Sequence, residues 1–170
     1  IHLPPPGAYG VGMVFLPRDA ARRVECEEAF AAIVAAEGQT LLGWRDVPTD
    51  NAGLGATAVR SEPVMRQVFI GRGQGLADDP LAFERKLFVI RRLAEKQIGR
   101  IEPGGDAAFY IASLSSRTIV YKGMLLAEQL RGYFPDLSHP LIDSAIALVH
   151  SRFSTNTFPA WKRAHPSRFL

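Results

Sequence analysis

Two segments of the chain carry apolar residues at helical spacing. Residues 20–37 are rich in Ala and Glu, their apolar residues lie near one helix face, and Gly38 follows where helices commonly end. The second segment opens with an acidic cap, Asp78 and Asp79, and places Pro80 at the first helical position. Its amphipathic pattern continues through Ala94. The pattern therefore predicts two long helices, over residues 20–37 and from about residue 80.

Shorter apolar runs, bounded by turn-forming residues, predict strands. Residues 39–45 form a short run that ends at a Pro-containing turn, and residues 64–70 end at a group of glycines. Residues 145–153 are largely apolar, which is typical of a strand buried on both faces.

Two further runs, residues 109–114 and 117–122, are separated only by two serines and predict an antiparallel hairpin. A short helix is expected over residues 124–131. Antiparallel strands with long helices between them favour a layered α+β domain, with sheet packed on sheet and helices outside. We predict a single domain over residues 1–170, because this length can bury one real core and is too short for two well-formed ones.

Composition is that of a folded globular protein, with 47% hydrophobic and 22% charged residues. No apolar stretch approaches the roughly 20 residues that span a bilayer, and the start lacks Met and the features of a signal peptide. We therefore expect a chain that begins inside a longer protein, with no membrane contact. The net charge of +3 is scattered, which argues against a nucleic-acid partner. A single cysteine excludes an internal disulfide and favours a cytoplasmic location.

Three features could carry chemistry but have simpler explanations. The glycines of residues 71–75 suggest a phosphate cradle, but the P-loop Lys and Ser or Thr are missing, so a glycine-rich turn is favoured. Cys26 lies within a predicted helix with no His or Asp nearby in sequence to activate it, which favours a packed or surface thiol. The four histidines form no pair with metal-ligand spacing, so no metal site is expected.

The end of the last predicted strand, residues 150–159, is denser in hydrogen-bonding side chains. Arg152 could bind a carboxylate through its planar fork of donors, and neighbouring hydroxyls could satisfy the remaining oxygens. The alternative is that Arg152 forms an internal ion pair while Ser154, Thr155 and Asn156 only satisfy a turn. Spacing alone favours this alternative.

Several runs, in order along nearly the whole chain, closely resemble the amidotransferase domain of the glutamate synthase large subunit. These runs are residues 36–40, 42–48, 66–71, 83–87, 114–124 and 150–157.

The resemblance implies an N-terminal-nucleophile hydrolase fold, an α/β/β/α sandwich in which two antiparallel sheets face each other between layers of helix. It also implies class II glutamine amidotransferase chemistry, in which an N-terminal cysteine attacks the amide of glutamine and releases ammonia. In that family the ammonia reaches 2-oxoglutarate on other domains, which carry FMN and an iron–sulfur cluster of the 3Fe-4S type. Other domains of the same subunit, and a small electron-donating subunit, are the implied partners; no cofactor is expected in this segment.

By the same resemblance, Arg152 holds the α-carboxylate of glutamine and Thr155 lines its pocket. Trp161 has a supporting role. Three further residues are possible pocket neighbours: His150, Ser154 and Asn156.

The sequence also departs from the family pattern. Position 1 is Ile1 and not cysteine, and the chain stops at Leu170, just before the expected Asn-Gly oxyanion pair. We therefore expect both catalytic elements to lie outside these residues and the sandwich to be incomplete at both ends. Cys26 cannot replace the nucleophile, because an internal cysteine has no free α-amine. The isolated chain is predicted to lack glutaminase activity and to be marginally stable, since unpaired strand edges invite aggregation.

Two alternatives remain open. The chain could be a non-catalytic module of the same fold that binds an amino acid at Arg152. It could also belong to another class II amidotransferase, such as those of amino-sugar or purine synthesis, although residues 44–46 and 121–123 match the glutamate synthase branch.

Overall fold

The structure, a computed structural model, describes residues 1–76, 79, 81–101, 109–151 and 158–164. It divides into two compact units, of which the first comprises residues 1–46 and 63–120 and the second residues 47–62 and 121–170. Helices alternate with antiparallel strands, so the predicted α+β class is confirmed.

The first unit contains four strands, β1 (Tyr9–Leu16), β2 (Thr40–Asp46), β3 (Val64–Gly71) and β4 (Tyr110–Ser115). They form an antiparallel sheet with the order β2-β3-β1-β4. The central strand β1 was not predicted from the sequence. Its residues 13–16 are all buried, and a strand buried on both faces lacks the polar–apolar alternation that reveals a half-exposed one.

A bulge in β2 explains the glycine within this strand. The register between β2 and β3 shifts between Leu41 and Gly43, and Gly43 has φ 149°. Because side-chain-bearing residues rarely adopt that backbone conformation, glycine permits the local kink.

Two helices pack on one face of the sheet, as the apolar spacing predicted: α1 (Ala20–Ala36) and α3 (Ala82–Ile101). Asp19 caps α1 by accepting a hydrogen bond from the backbone N–H of Arg22 at 2.9 Å. The sheet contributes alternate apolar residues of its inner strands and two apolar residues of β4: Val14, Leu16, Val68, Ile70, Ile111 and Leu114. The buried helix residues of this core are Cys26, Phe30, Ile33, Val34, Phe83, Leu87, Ile90, Ala94 and Ile98.

Charged side chains form ion pairs between a helix and the sheet, and also near the start of α3. Arg66 on β3 lies 2.7 Å from carboxylate oxygens of both Glu27 and Asp46. Partial burial alone would lower the pKa of Arg66, but the hydrogen bond and charge of Glu27, together with Asp46, raise it. At the start of α3, hydrogen bonds from Arg85 and from the backbone N–H of Leu81 hold the pKa of Asp79 below its usual range.

The predicted hairpin over residues 109–122 is wrong in its second half, because only β4 forms. Side-chain hydrogen bonds take up the backbone donors that a second strand would use. Ser115 Oγ accepts from the N–H of Arg117 at 3.0 Å and of Thr118 at 3.2 Å. Ser113 Oγ accepts from Val120 N at 3.0 Å. The carboxylate of Glu84 binds Ser115 Oγ at 2.9 Å, closing the turn from α3.

In its described residues, the second unit contains only short helices. These are α2 (Ala56–Arg60), α4 (Leu130–Tyr133) and 3-10 turns over Ala127–Gln129, Pro135–Ser138 and Trp161–Arg163. The helix predicted over residues 124–131 therefore begins later, as a 3-10 turn that leads into α4.

The buried strand predicted over residues 145–153 is wrong for residues 145–151, which form neither strand nor helix. Ile146, Leu148 and Val149 are 77–78% exposed. A strand needs a neighbour to pair with its backbone, and no described residue pairs with this stretch. Within the described ranges the structure contains one sheet, so the second sheet of the predicted sandwich is not found among them.

Candidate functional site

Most of the predicted glutamine-binding residues fall outside the described part of the chain. Arg152, Ser154, Thr155 and Asn156 lie in residues 152–157, which the structure does not describe. His150 is described, is exposed and belongs to no regular element. The roles of these five residues therefore stay predictions. The structure describes residues 158–164, which follow them.

Trp161 anchors the chain shortly after this segment. Its side chain is fully buried, and its indole Nε1–H donates a hydrogen bond to the carbonyl oxygen of Ala58 on α2 at 3.0 Å. Its ring lies 5.5 Å from that of Tyr133, centroid to centroid. A buried indole needs a partner for its N–H, and the α2 carbonyl supplies it. The structure thus shows that Trp161 is a packed residue, and its role in supporting the pocket stays a prediction.

Tyr133 in turn is held by a buried carboxylate. Its hydroxyl donates to Glu62 at 2.5 Å, and Asn51 Nδ2 donates to the other oxygen of the same carboxylate at 2.8 Å. Glu62 is 7% exposed, so each of these bonds replaces hydration that the carboxylate has lost. The network connects the loop before α2, the end of α2 and α4.

Lys122 also contacts the turn that contains Trp161. Its side chain is 5% exposed, and its Nζ donates to the backbone oxygen of Lys162 at 2.7 Å. The adjacent Gly123 lies against the indole of Trp161, where a Cβ would come within 2.5 Å of Cζ3. Residues 121–123 and the Trp161–Arg163 turn therefore fit closely together.

The glycine group at residues 71–75 is a packed turn, as favoured from the sequence. A Cβ on Gly73 would come within 1.8 Å of the backbone oxygen of Gly38. The N–H of Gly73 donates to Gln39 Oε1 at 2.9 Å, and that of Arg72 donates to the oxygen of Ala8 at 2.9 Å. Two backbone donors that a phosphate cradle would use are therefore engaged within the chain.

Cys26 is a core residue. It is 1% exposed and belongs to the apolar cluster between α1, α3 and the sheet. Reactive thiols occupy electropositive and partly exposed surroundings, which this site does not provide. Of the two structural possibilities raised by the sequence, the packed thiol is the correct one.

The described residues include neither a cluster of metal ligands nor a membrane-spanning helix. No three His, Cys, Asp or Glu side chains converge there as metal ligands would. Of the helices described, none is both long and apolar enough to cross a membrane.

Comparison with known sequences identifies the family. The model of the class-II glutamine amidotransferases matches residues 1–170, the whole chain. The chain belongs to this family. The resemblance found in the sequence is therefore confirmed, and with it the N-terminal-nucleophile hydrolase type of domain.

Three similar members of the family are glutamate synthases. The chain is 51% identical over 170 residues to the glutamate synthase [NADPH] large chain of Bacillus subtilis, and the match covers all of this chain and 11% of that protein. It is 42% identical over 173 residues to the corresponding chain of Azospirillum brasilense, covering 99% of this chain and 11% of that protein. It is 43% identical over 162 residues to ferredoxin-dependent glutamate synthase 2, chloroplastic, of Arabidopsis thaliana, covering 95% and 10%. The chain thus spans about a tenth of the length of these relatives.

Three residues in the contacts around Trp161 and its turn were not predicted from the sequence. Glu62, Tyr133 and Lys122 were assigned no role in the site. Glu62 and Lys122 are charged residues next to a turn or a glycine, a position that is usually exposed. Of the three, only Lys122 lies in a run that drew attention in the sequence, residues 121–123. That run was used to distinguish branches of the family and not to assign a role to Lys122.

Proposed function

We propose that this chain is the central part of the glutaminase domain of a glutamate synthase large subunit. The domain hydrolyses L-glutamine to glutamate and ammonia, and the ammonia is channelled to 2-oxoglutarate for reductive amination to a second glutamate. The protein would thereby assimilate ammonia in the cytoplasm. The observation that carries the proposal is the family match over the whole chain, supported by 51% identity to a glutamate synthase large chain.

In this proposal Arg152 binds the α-carboxylate of glutamine. A guanidinium presents two parallel donors that match the two oxygens of a carboxylate, so it selects an amino acid over a simple amide. Thr155 lines the same pocket, where its hydroxyl can donate to an oxygen of the substrate. His150, Ser154 and Asn156 are neighbours that shape the segment.

The redox chemistry of such a protein belongs to other parts of the polypeptide. FMN and a 3Fe-4S cluster would accept and deliver the electrons there. An iron–sulfur cluster needs several cysteine ligands, whereas this chain has one cysteine, buried in α1, so its residues do not fit the cluster. The partners are the remaining domains of the subunit and a small electron-donating subunit. The names of the relatives include NADPH, ferredoxin and NADH. This domain is therefore similar in proteins that are named for three different electron donors.

Replacing Arg152 with leucine in the complete gene product tests the proposal. We expect kcat/KM for glutamine hydrolysis to fall about 100-fold, because a charged hydrogen-bonded pair with the substrate is lost. Release of ammonia and glutamate is measured at varied glutamine concentration. The matched control is Arg18→Leu, which removes an exposed arginine and should leave the kinetics unchanged.

A substrate analogue separates carboxylate binding from a general loss of structure. 4-Aminobutanamide is glutamine without its α-carboxylate, so the wild-type protein should hydrolyse it poorly and R152L should lose little further activity towards it. Equal losses towards both substrates would contradict the role of Arg152. Glutamine binding without any hydrolysis by the wild-type protein would favour the non-catalytic module.

A further inference from the structure

Helix α3 carries apolar side chains on its outward side as well as on the side that packs on the sheet. Leu87, Ile90 and Ala94 face the core and are fully buried. Phe88 and Val89 lie on the outward side of the helix, where they are 48% and 40% exposed. A helix that packs on a sheet usually carries polar residues on that side. The exposed pair therefore marks α3 as a candidate contact surface.

An open groove lies on the outward side of α3. Phe88, Arg92 and Lys96 are spaced by four positions and form one ridge along the helix. Val89 and Leu93, also four positions apart, form the next ridge. A second helix packs by inserting a ridge of its own side chains between two such ridges, so the geometry favours a helix as the occupant. The groove has a volume of about 470 Å³, and its lining belongs entirely to α3: Phe88, Val89, Arg92, Leu93, Glu95 and Lys96.

The charges of the groove favour an acidic occupant. The side chain of Arg92 is 56% exposed, and its Nη1 lies 2.8 Å from Oε2 of Glu95. The other oxygen of this carboxylate accepts a hydrogen bond from Nε of Arg91 at 3.1 Å. Lys96 is exposed as well, so two cations line the groove with one carboxylate that is shared with Arg91. A helix with carboxylates along its edge would complement this excess of positive charge.

The rest of the polypeptide is the occupant that fits these features best. The chain spans about a tenth of the length of its glutamate synthase relatives, so most of such a subunit lies outside residues 1–170. Contacts between domains of one polypeptide are more polar than permanent subunit interfaces, which suits a groove with apolar walls and charged edges. A second copy placed on the same face by two-fold symmetry would bring its own Arg92 and Lys96 towards those of the first, and like charges across an interface are unfavourable.

From these observations we propose that the outward face of α3 docks a helix from another domain of the same polypeptide. Apolar residues of that helix contact Phe88 and Val89, and its carboxylates lie near Arg92 and Lys96. The inference rests on the proposed function, because it takes the chain as part of a longer glutamate synthase subunit.

A photo-crosslinker at position 88 identifies the occupant. p-Benzoylphenylalanine replaces Phe88 in the complete gene product, and the irradiated protein is digested and analysed by mass spectrometry. We expect a crosslink to a peptide of the same polypeptide outside residues 1–170, one that contains Asp or Glu, and a product that migrates as a single subunit on a denaturing gel. A crosslink between two copies, a crosslink only within residues 1–170, or no crosslink would overturn the inference.

Substitution of Val89 tests whether the contact depends on this groove. Val89→Glu places a negative charge where the apolar and acidic groups of the docked helix would lie. Because side chains at the centre of an interface are almost fully buried, we expect hydroxyl radicals to oxidise Phe88 about fivefold faster in V89E than in the wild type. The control is Val24→Glu, the same change at a valine of α1 that is 51% exposed, which should leave the oxidation of Phe88 unchanged.

Equal oxidation of Phe88 in the wild type and in V89E would contradict docking in the groove, and so would an equal increase in V24E. Should V89E fail to fold, Arg92→Glu takes its place, because it repels the same carboxylates and carries the same expected increase. Ammonia release from glutamine is measured on the same samples. A wild-type protein that releases no ammonia refutes the proposed function, whereas an active protein that forms no crosslink from position 88 refutes the docking alone.

Discussion

Glu62 and Lys122 are charged residues that are less than a tenth exposed to solvent, and neither lies in a long helix or strand. Glu62 accepts from Tyr133 and Asn51, while Lys122 donates to a backbone carbonyl. In a segment with few regular elements, such bonds define the loop conformation that helical or sheet hydrogen bonds define elsewhere. Removing one partner would leave a buried polar group with fewer hydrogen bonds, so each pair is more costly to break than to replace as a whole.

Cys26 allows a prediction about the identity of the nucleophile. Cys26→Ala in the complete gene product should leave kcat and KM for glutamine hydrolysis unchanged, because the thiol is buried in the apolar core. The cavity that it leaves should cost about 1 kcal/mol of stability. Steady-state ammonia release measures the first effect and thermal unfolding the second. Loss of turnover in a variant that remains folded would show that Cys26 takes part in the chemistry.

At the scale of elements, the glycines divide into those that packing requires and those that it does not. Gly73→Ala would place a Cβ 1.8 Å from the oxygen of Gly38, so we expect the turn after β3 to lose about 2 kcal/mol of local stability. Gly99→Ala, at an exposed position of α3 with no atom near the new Cβ, should stabilise the helix by about 0.5–1 kcal/mol.

Hydrogen exchange of the intact protein measures both effects, because it reports the opening free energy of each element separately. Protection of β2 and β3 amides should fall in G73A, and protection of α3 amides should rise in G99A. Equal protection in the two variants would contradict the packing assigned to these glycines.

Elements with a repeated pattern could be predicted from the sequence, and elements defined by their neighbours could not. Helices α1 and α3 carry apolar residues on one face, and acidic residues, Asp19 and Asp79, accept backbone hydrogen bonds near their starts, so their positions follow from local chemistry. Strand β1 lacks alternation because both of its faces are buried. Residues 117–122 have strand-like composition, yet the hydroxyls of Ser113 and Ser115 bind the backbone donors. Composition does not reveal such a competition between side chain and strand partner.

At the scale of the whole molecule, the candidate site came from resemblance and not from periodicity. Spacing alone favoured a structural role for Arg152, because one arginine among hydroxyls is common in turns. The matching runs reversed that preference, and the family match over residues 1–170 supports the family on which it was based. The contacts made by Glu62, Lys122 and Trp161 could not be predicted, since they join residues far apart in sequence that become neighbours only in the folded chain.

Transfer of the amide nitrogen is the most direct test of the proposed function. The complete gene product is supplied with glutamine labelled with nitrogen-15 at the side-chain amide, together with 2-oxoglutarate and a reductant, and the glutamate formed is analysed by mass spectrometry. We predict that the label appears in the amino group of newly formed glutamate and that R152L slows its appearance. Unlabelled glutamate as the sole product, or label found only as free ammonia, would contradict the assignment to a glutamate synthase.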